Sequence, residues 1–351
     1  MPEWRKDPLV DRWVIIATER GKRPSDFKIK PDEKKGGRCP MCVGHEKDTP
    51  PEVAAFRESG SAPDAPGWWV RVVPNKFPAV RIEAQSGIRR HGIYETMDGL
   101  GAHEVVVETT EHEKNLEFLP AHQVEEVIWA WQQRSLDLRR DARFKYIQIF
   151  KNFAQTAGAS LEHPHSQIVA LPMVPADVAA ELDGMRRYAQ NTGRCIICDL
   201  LGQELAEKQR VVREGEKFVA LAPFASRFPF ETWIVPREHQ HDFAALRPDQ
   251  VADLARVLRS TLRALHDCIG EPPYNLVLHT APINDAAEAM HYHWHLEILP
   301  RLTVMAGFEL GTGYFINPTP PELAAQVLRE EETRAFTPIY AQPGREVAQY
   351  V

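Results

Sequence analysis

No run of the chain is apolar and long enough to cross a bilayer, and the opening Met1-Pro-Glu-Trp-Arg-Lys-Asp-Pro8 has no apolar signal core. Positive charge is in deficit: 42 Lys and Arg stand against 49 Asp and Glu, a formal net charge of −7. That argues against a general nucleic-acid binder, which needs a basic face. No long glycine-rich phosphate loop stands out, since Gly311-Thr-Gly313 is too short to act as one and reads as a turn. Cysteine is scarce, five in 351 residues, too few for a disulfide scaffold. A soluble cytoplasmic protein is expected, with 43% hydrophobic residues to bury in one large core or two ordinary ones.

Four of the five cysteines share one spacing, Cys39-Pro-Met-Cys42 and Cys195-Ile-Ile-Cys198. Neither pair sits in the strand-to-helix context of a thioredoxin-like redox site, so metal binding is the first reading. Cys268 stands alone in an expected helix and reads as a small buried hydrophobe.

One stretch carries more chemistry than any other: Gly158-Ala-Ser-Leu-Glu-His163-Pro-His165-Ser-Gln167-Ile-Val-Ala-Leu-Pro172. Side chains alternate faces along a strand, so His163, His165 and Gln167 form one polar row. The small residues before it let backbone N–H groups approach an anion.

The pattern around this stretch occurs twice. His103 to His112 reads as a strand ending in Glu-His and returns 127 residues later as Phe230 to His239. Leu119 and Leu246 follow, then helices opening at Gln123 and Gln250, then strands at Tyr146 and Tyr274. His163-Pro-His165-Ser-Gln167 is answered by His293-Trp-His295-Leu-Glu297. The chain is therefore one αβ unit used twice, residues 1–180 and 190–351, the second ending in a helical tail. Strands joined by hairpins with one long helix per copy predict an α+β fold, an antiparallel sheet with packed helices.

The repeat also pairs metal ligands. Cys39, Cys42, His112 and His163 in the first copy match Cys195, Cys198, His239 and His293 in the second. Two thiolates and two imidazoles complete a tetrahedral zinc shell with no position for water, so both sites are expected to be structural. His241 and His291 stand close enough in sequence to be substitutes. His295, with Glu297 two residues on, reads as a relic of duplication, not a second active centre.

These residues together resemble the galactose-1-phosphate uridylyltransferases of the histidine-triad superfamily over nearly the whole chain. The matching pieces are Arg20-x-Lys22-Arg23-Pro24, Cys39-x-x-Cys42, Asn75, Glu-His112, Asn152, His163-Pro-His165-x-Gln167, Pro-Phe-Glu231 and Gly307-Phe308-Glu309. The chain is similar also to ADP-glucose phosphorylases, through Ala157 to Ser160, His-Ser-Gln167 and the run Gly307 to Gly313.

The resemblance implies two histidine-triad-like halves, usually in a homodimer, and ping-pong transfer through a nucleotidyl-histidine. His165 would be the nucleophile on the α-phosphorus of a nucleoside diphosphate sugar, with Gln167 holding phosphate oxygens. Arg20, Lys22, Arg23, Asn75 and Asn152 would contact nucleotide and phosphates, and Gly158, Ala159, Ser160 and Leu161 would line the phosphate. Gly307 and Phe308 belong to the motif whose Glu309 would bind sugar hydroxyls. Glutamine at 167, where nucleotide hydrolases of the superfamily carry a third histidine, favours transfer: a sugar 1-phosphate is a weakly basic leaving group and needs no acid.

Two departures bear on the substrate. Cys195 and Cys198 are present where the better-known bacterial uridylyltransferases use a carboxylate and histidines, with iron a possible occupant. Thr303 stands where those enzymes carry a lysine for the sugar phosphate. The expected activity is uridylyl transfer between UDP-glucose and galactose 1-phosphate. The alternative is phosphorolysis of ADP-glucose, and a hydrolase or nucleotide-binding protein comes third.

Overall fold

The computed structural model describes residues 1–17, 19, 27, 36–285 and 289–336. The basic run at Arg20, Lys22 and Arg23 lies outside the described residues. The chain begins with strands β1 (Glu3–Lys6) and β2 (Trp13–Ile16). The first half then supplies β3 (Ala54–Arg57), β4 (Trp68–Pro74), the exposed hairpin β5 (Arg89–His91) and β6 (Tyr94–Thr96), and β7 (Ala102–Val107). Helix α1 (Ala121–Leu138), β8 (Tyr146–Phe153) and β9 (His165–Leu171) follow. Helices α2 (Ala176–Thr192) and α3 (Ile196–Glu207) lead into β10 (Val211–Glu214), β11 (Phe218–Leu221) and β12 (Thr232–Pro236). Next come α4 (Pro248–Ile269), β13 (Tyr274–His279) and β14 (His295–Pro300). The last elements are α5 (Gly307–Thr312), β15 (Phe315–Asn317) and α6 (Pro321–Phe336).

Ten of these strands form one antiparallel sheet in the order β10-β11-β12-β14-β13-β8-β9-β7-β4-β3. Read outward from the β8–β13 pair at its centre, the two halves repeat the same strand order about a pseudo-twofold axis. This is the α+β architecture expected of the sequence. Each half has one long amphipathic helix: α1 buries Val124, Val127, Ile128 and Trp131, and α4 buries Val251, Leu254, Leu258 and Leu265. Pro248 at the first turn of α4, and Gln250 accepting from the Arg247 N–H at 3.0 Å, fix where that helix starts. Both helices join one hydrophobic core with Val72, Val106, Ile168, Leu276 and Ile298 from the sheet.

The opposite sheet face carries the polar rows. Directly paired residues share a face, so His165 (opposite Val107), Gln167 (opposite Val105 and Phe150) and Asn152 project together. Ser166 points the other way and accepts from Trp131 Nε1 at 2.8 Å.

Strand register corrects the sequence alignment of the halves at two places. Val105 pairs with Gln167, and Trp233 with Glu297, so the counterpart of His103 is Glu231 and not Phe230. Likewise Phe150 opposes Gln167 and Val277 opposes Glu297, so Asn152 corresponds to His279, and Tyr146 and Tyr274 lie on opposite faces. A one-residue difference in a loop is invisible to spacing but exchanges the faces of a strand.

Candidate active site and metal clusters

The first cysteine pair lies on a turn, and the second at the start of α3. Each meets two histidines. In the first half Cys42 Sγ is 3.3 Å from His112 Nδ1 and 3.6 Å from His163 Nδ1, and Cys39 Sγ is 3.9 Å from His163 Nδ1. In the second, His293 Nδ1 lies 3.6 Å from Cys195 Sγ and 3.5 Å from Cys198 Sγ, with His239 Nδ1 at 3.9 Å from Cys198 Sγ. Two ligands at ordinary zinc–sulfur and zinc–nitrogen lengths in a tetrahedron stand roughly 3.5 Å apart. The donor sets therefore fit a four-coordinate ion. The ligand atoms of each set lie within 4.8 Å of one another, and neither His241 nor His291 belongs to them.

The far ring nitrogens are anchored too. His163 Nε2 donates to Thr109 O at 2.7 Å, His293 Nε2 to Pro236 O at 3.0 Å and His239 Nε2 to Met290 O at 3.1 Å. Such bonds fix the tautomer that turns Nδ1 toward a metal. Burial and the neighbouring Cys39 push the Cys42 thiol up to about 11, so an incoming cation must displace a proton.

A third group, Glu181 of α2, His279 and His295, also brings its ligand atoms within 4.8 Å. Sequence reasoning missed it, because a glutamate in a helix and a histidine at a strand end carry no signature. His295 is sealed, stacked between Trp233 at 4.7 Å and His279 at 5.0 Å. Although burial opposes it, the carboxylates of Glu181 and Glu297 raise His279 to a pKa of about 10.

His165 sits two residues beyond the cluster-bound His163. Its Nδ1 donates to the carbonyl of His163 at 2.7 Å, which leaves Nε2 with its lone pair. Burial holds the imidazole below its ordinary pKa, and the nearby Lys151 lowers it further, so it is neutral at pH 7. Lys151 is itself buried and paired with Glu108 at 2.6 Å.

Three amides stand along this face of the sheet. Gln167 Oε1 is 2.8 Å from His103 Nε2, Asn152 Oδ1 accepts from Asn275 at 2.8 Å, and Asn75 Oδ1 accepts from the Phe77 N–H at 2.9 Å. The 155–161 loop turns at Gly158, whose φ of 94° suits a residue without Cβ. Leu161 packs against the small apolar cluster that contains Met41 and Val107, as does Cys39. A cleft of about 780 Å³ has Asn75, Lys76, Arg81 and His103 on its wall, but does not reach His165.

Gly307, Phe308 and Glu309 lie on α5, beside β15, which pairs with β2 in a separate small sheet. The Glu309 carboxylate accepts from its own helix at Ala306 N. Among the described residues no hydrogen bond links this segment to the His165 row.

Two family models match the chain, the galactose-1-phosphate uridyl transferase N-terminal domain over residues 1–175 and its C-terminal domain over 181–335. The chain belongs to the galactose-1-phosphate uridyl transferase family. It is 39% identical to an ADP-glucose phosphorylase of Arabidopsis thaliana over 94% of this chain and 93% of that one. A galactose-1-phosphate uridylyltransferase of Thermotoga maritima is 33% identical over 95% and 99%. The crystal structure of an Arabidopsis thaliana ADP-glucose phosphorylase with bound ADP-glucose superposes with a TM-score of 0.79 at 35% identity, covering 94% and 99%. As a member of this uridyl transferase family, the chain is an enzyme of nucleotidyl transfer. No helix among the described residues is long and apolar enough to cross a membrane.

Proposed function

We propose that the chain transfers a uridylyl group between UDP-glucose and a hexose 1-phosphate, galactose 1-phosphate in the first instance, through a nucleotidyl-His165 intermediate. The observation that carries this reading is the bond from His165 Nδ1 to the His163 carbonyl. Nε2 attacks the α-phosphorus, a new N–P bond forms, and the bond to the bridging oxygen breaks as hexose 1-phosphate leaves. The Nδ1 proton stays on the ring, so the adduct is cationic and remains reactive toward a second sugar phosphate. One hard displacement becomes two easier ones. Gln167, Asn152 and the Gly158 to Leu161 loop are assigned to the phosphate oxygens, and Asn75 with Arg20, Lys22 and Arg23 to nucleotide and diphosphate. Glu309, with Gly307 and Phe308, is assigned to the sugar; a homodimer supplies a route by which α5 of one subunit reaches the row of another.

Zinc in both Cys2His2 sets is the ion that thiolate and imidazole donors favour. It holds the first cysteine turn to His163, whose carbonyl in turn orients His165. Metal analysis is expected to give two zinc ions per chain, and Cys39→Ser to reduce that to one. Wild-type stoichiometry in Cys39→Ser rejects that ligand set.

A second reading, phosphorolysis of ADP-glucose, is favoured by the 39% identity to a protein of that name and by Thr303 and Cys195–Cys198. The same residues serve it, with inorganic phosphate as acceptor. Intact mass separates the two. A UMP adduct formed from UDP-glucose and discharged by galactose 1-phosphate supports the transferase; an AMP adduct discharged by phosphate supports the phosphorylase. No adduct with either nucleotide sugar rejects both.

A further inference from the structure

An amide side chain can turn either a donor or an acceptor toward a ligand, and nothing intrinsic to Gln or Asn decides which. Around His165 the backbone decides. The Ala79 N–H donates to His103 Nδ1 at 3.2 Å, so that nitrogen carries no proton and Nε2 does. Nε2–H then donates to Gln167 Oε1 at 2.8 Å, which commits the amide oxygen and turns the NH2 outward. The Asn75 amide nitrogen, 3.1 Å from the same Nε2, is a second donor and therefore a neighbour, not a partner. A parallel chain runs from Ala157. Its carbonyl oxygen only accepts, so the Asn275 atom 2.8 Å from it is the amide nitrogen, and that nitrogen also lies 2.8 Å from Asn152 Oδ1. Among the described residues no protein acceptor meets the NH2 group of Gln167 or of Asn152.

We propose that His103 and Asn275 are positioning residues which lock the amides of Gln167 and Asn152 with their N–H groups toward the ligand, so that on either side of His165 the two amides present only donors to phosphate oxygens. Neither residue touches the reacting atoms. Each commits an amide oxygen before the substrate arrives, so no reorganisation is needed as charge develops on the phosphoryl oxygens. An amide without its lock can present its oxygen to an anion, which is repulsive. The two locks reach their amides differently. His103 lies on β7, the sheet neighbour of β9, 64 residues before Gln167, whereas Asn275 lies across the pseudo-twofold axis on β13, opposite Asn152. The second half thereby takes part in the first half's site without a nucleophile of its own.

The inference rests on the proposed nucleotidyl-His165 reading, and the experiment separates the two. Formation of the adduct is followed in a single turnover with UDP-glucose and with ADP-glucose. If the wild-type enzyme forms none, that reading fails and this one falls with it. With an adduct in hand, His103→Phe is expected to slow its formation by about 10- to 100-fold while the nucleotide-sugar dissociation constant moves less than about threefold. His103→Gln, whose amide N–H can stand in for Nε2–H, recovers most of the rate. In a Gln167→Ala background His103→Phe adds no further loss, because it acts only through Gln167. Asn275→Asp, which has no N–H to donate, is tested in the same way against Asn152→Ala, and it keeps the question open to test should His103→Phe fail to fold. Losses that simply multiply in the double variants, or a His103→Gln enzyme as slow as His103→Phe, overturn the proposal.

Discussion

In the first half of the sheet His103 holds Gln167, and Gln167 and Asn152 are left with amide N–H groups that no described residue accepts; at the positions of His103, Gln167 and Asn152 the second half carries Glu231, Glu297 and His279. There the two carboxylates close on cations from the chain itself. Arg227 bridges Glu231 at 3.0 Å and Glu297 at 2.5 Å, and His279 lies 3.0 Å from Glu181 and 3.4 Å from Glu297. Tyr292 donates to Glu181 at 2.5 Å and completes the seal. The duplicated row has thus been inverted in polarity. One copy keeps amide donors without a protein acceptor among the described residues, as the proposed phosphate site requires, and the other has filled its acceptors internally. A Cys2His2 ligand set stands beside each row, so that set does not distinguish the two.

The largest test of this asymmetry sets the two equivalent histidines against each other. His165→Ala is expected to lower adduct formation by at least ~10⁴-fold, because it removes the proposed nucleophile. His295→Ala keeps the adduct, since its ring is fully buried between Trp233 and His279. Loss of the adduct in His295→Ala, with an unchanged circular dichroism spectrum, would overturn the division of labour.

The next effect is on stability. Against the cost of burial, Glu231 and Glu297 hold the Arg227 guanidinium firmly charged. Arg227→Met leaves both carboxylates facing one another with His279 as their remaining cation. The loss is expected at about 3–5 kcal/mol, read from the urea midpoint. Adduct formation per folded molecule is expected to be unchanged, because the network lies in the closed copy. An unaltered midpoint would show that the internal cation is not what replaces a ligand there.

Much of this arrangement is legible in the sequence alone, because its residues are rare and recur. Cys-x-x-Cys twice, two Glu-His pairs and two His-x-His runs leave few alternatives, and the structure brings both ligand sets together, although all four histidine ligands lie just outside the strands expected to carry them. The repeat likewise indicated an antiparallel sheet with one long helix per copy. What stayed hidden depends on register. His103 and Asn275 meet their amides across 64 and 123 residues, and neither belongs to a motif. Loops that differ by one residue between the copies concealed that His103 answers to Glu231. Glu181 sits in a helix of ordinary amphipathic pattern, where one more acidic residue draws no notice.

The smallest contrast lies behind the sheet, in the short 3₁₀ turns that precede α1 and α4. Glu117 in the first turn corresponds to Ala244 in the second. Burial pushes the Glu117 carboxyl up to about 7, despite a bond from Asn115 at 2.8 Å and the positive charge of Lys151 nearby. Its value in the unfolded chain is near 4.5. Between these limits the native state binds a proton that the unfolded state has lost, so stability falls as pH rises from 4.5 through 7. Glu117→Gln keeps an acceptor for Asn115 and removes the titration. At pH 8 it is expected to gain up to roughly 3 kcal/mol over the wild type, and at pH 4 nothing. Urea midpoints at the two pH values measure the difference. An equal gain at both would trace the effect to packing; no gain at pH 8 would mean that the first half tolerates a buried charge at the place where the second carries alanine.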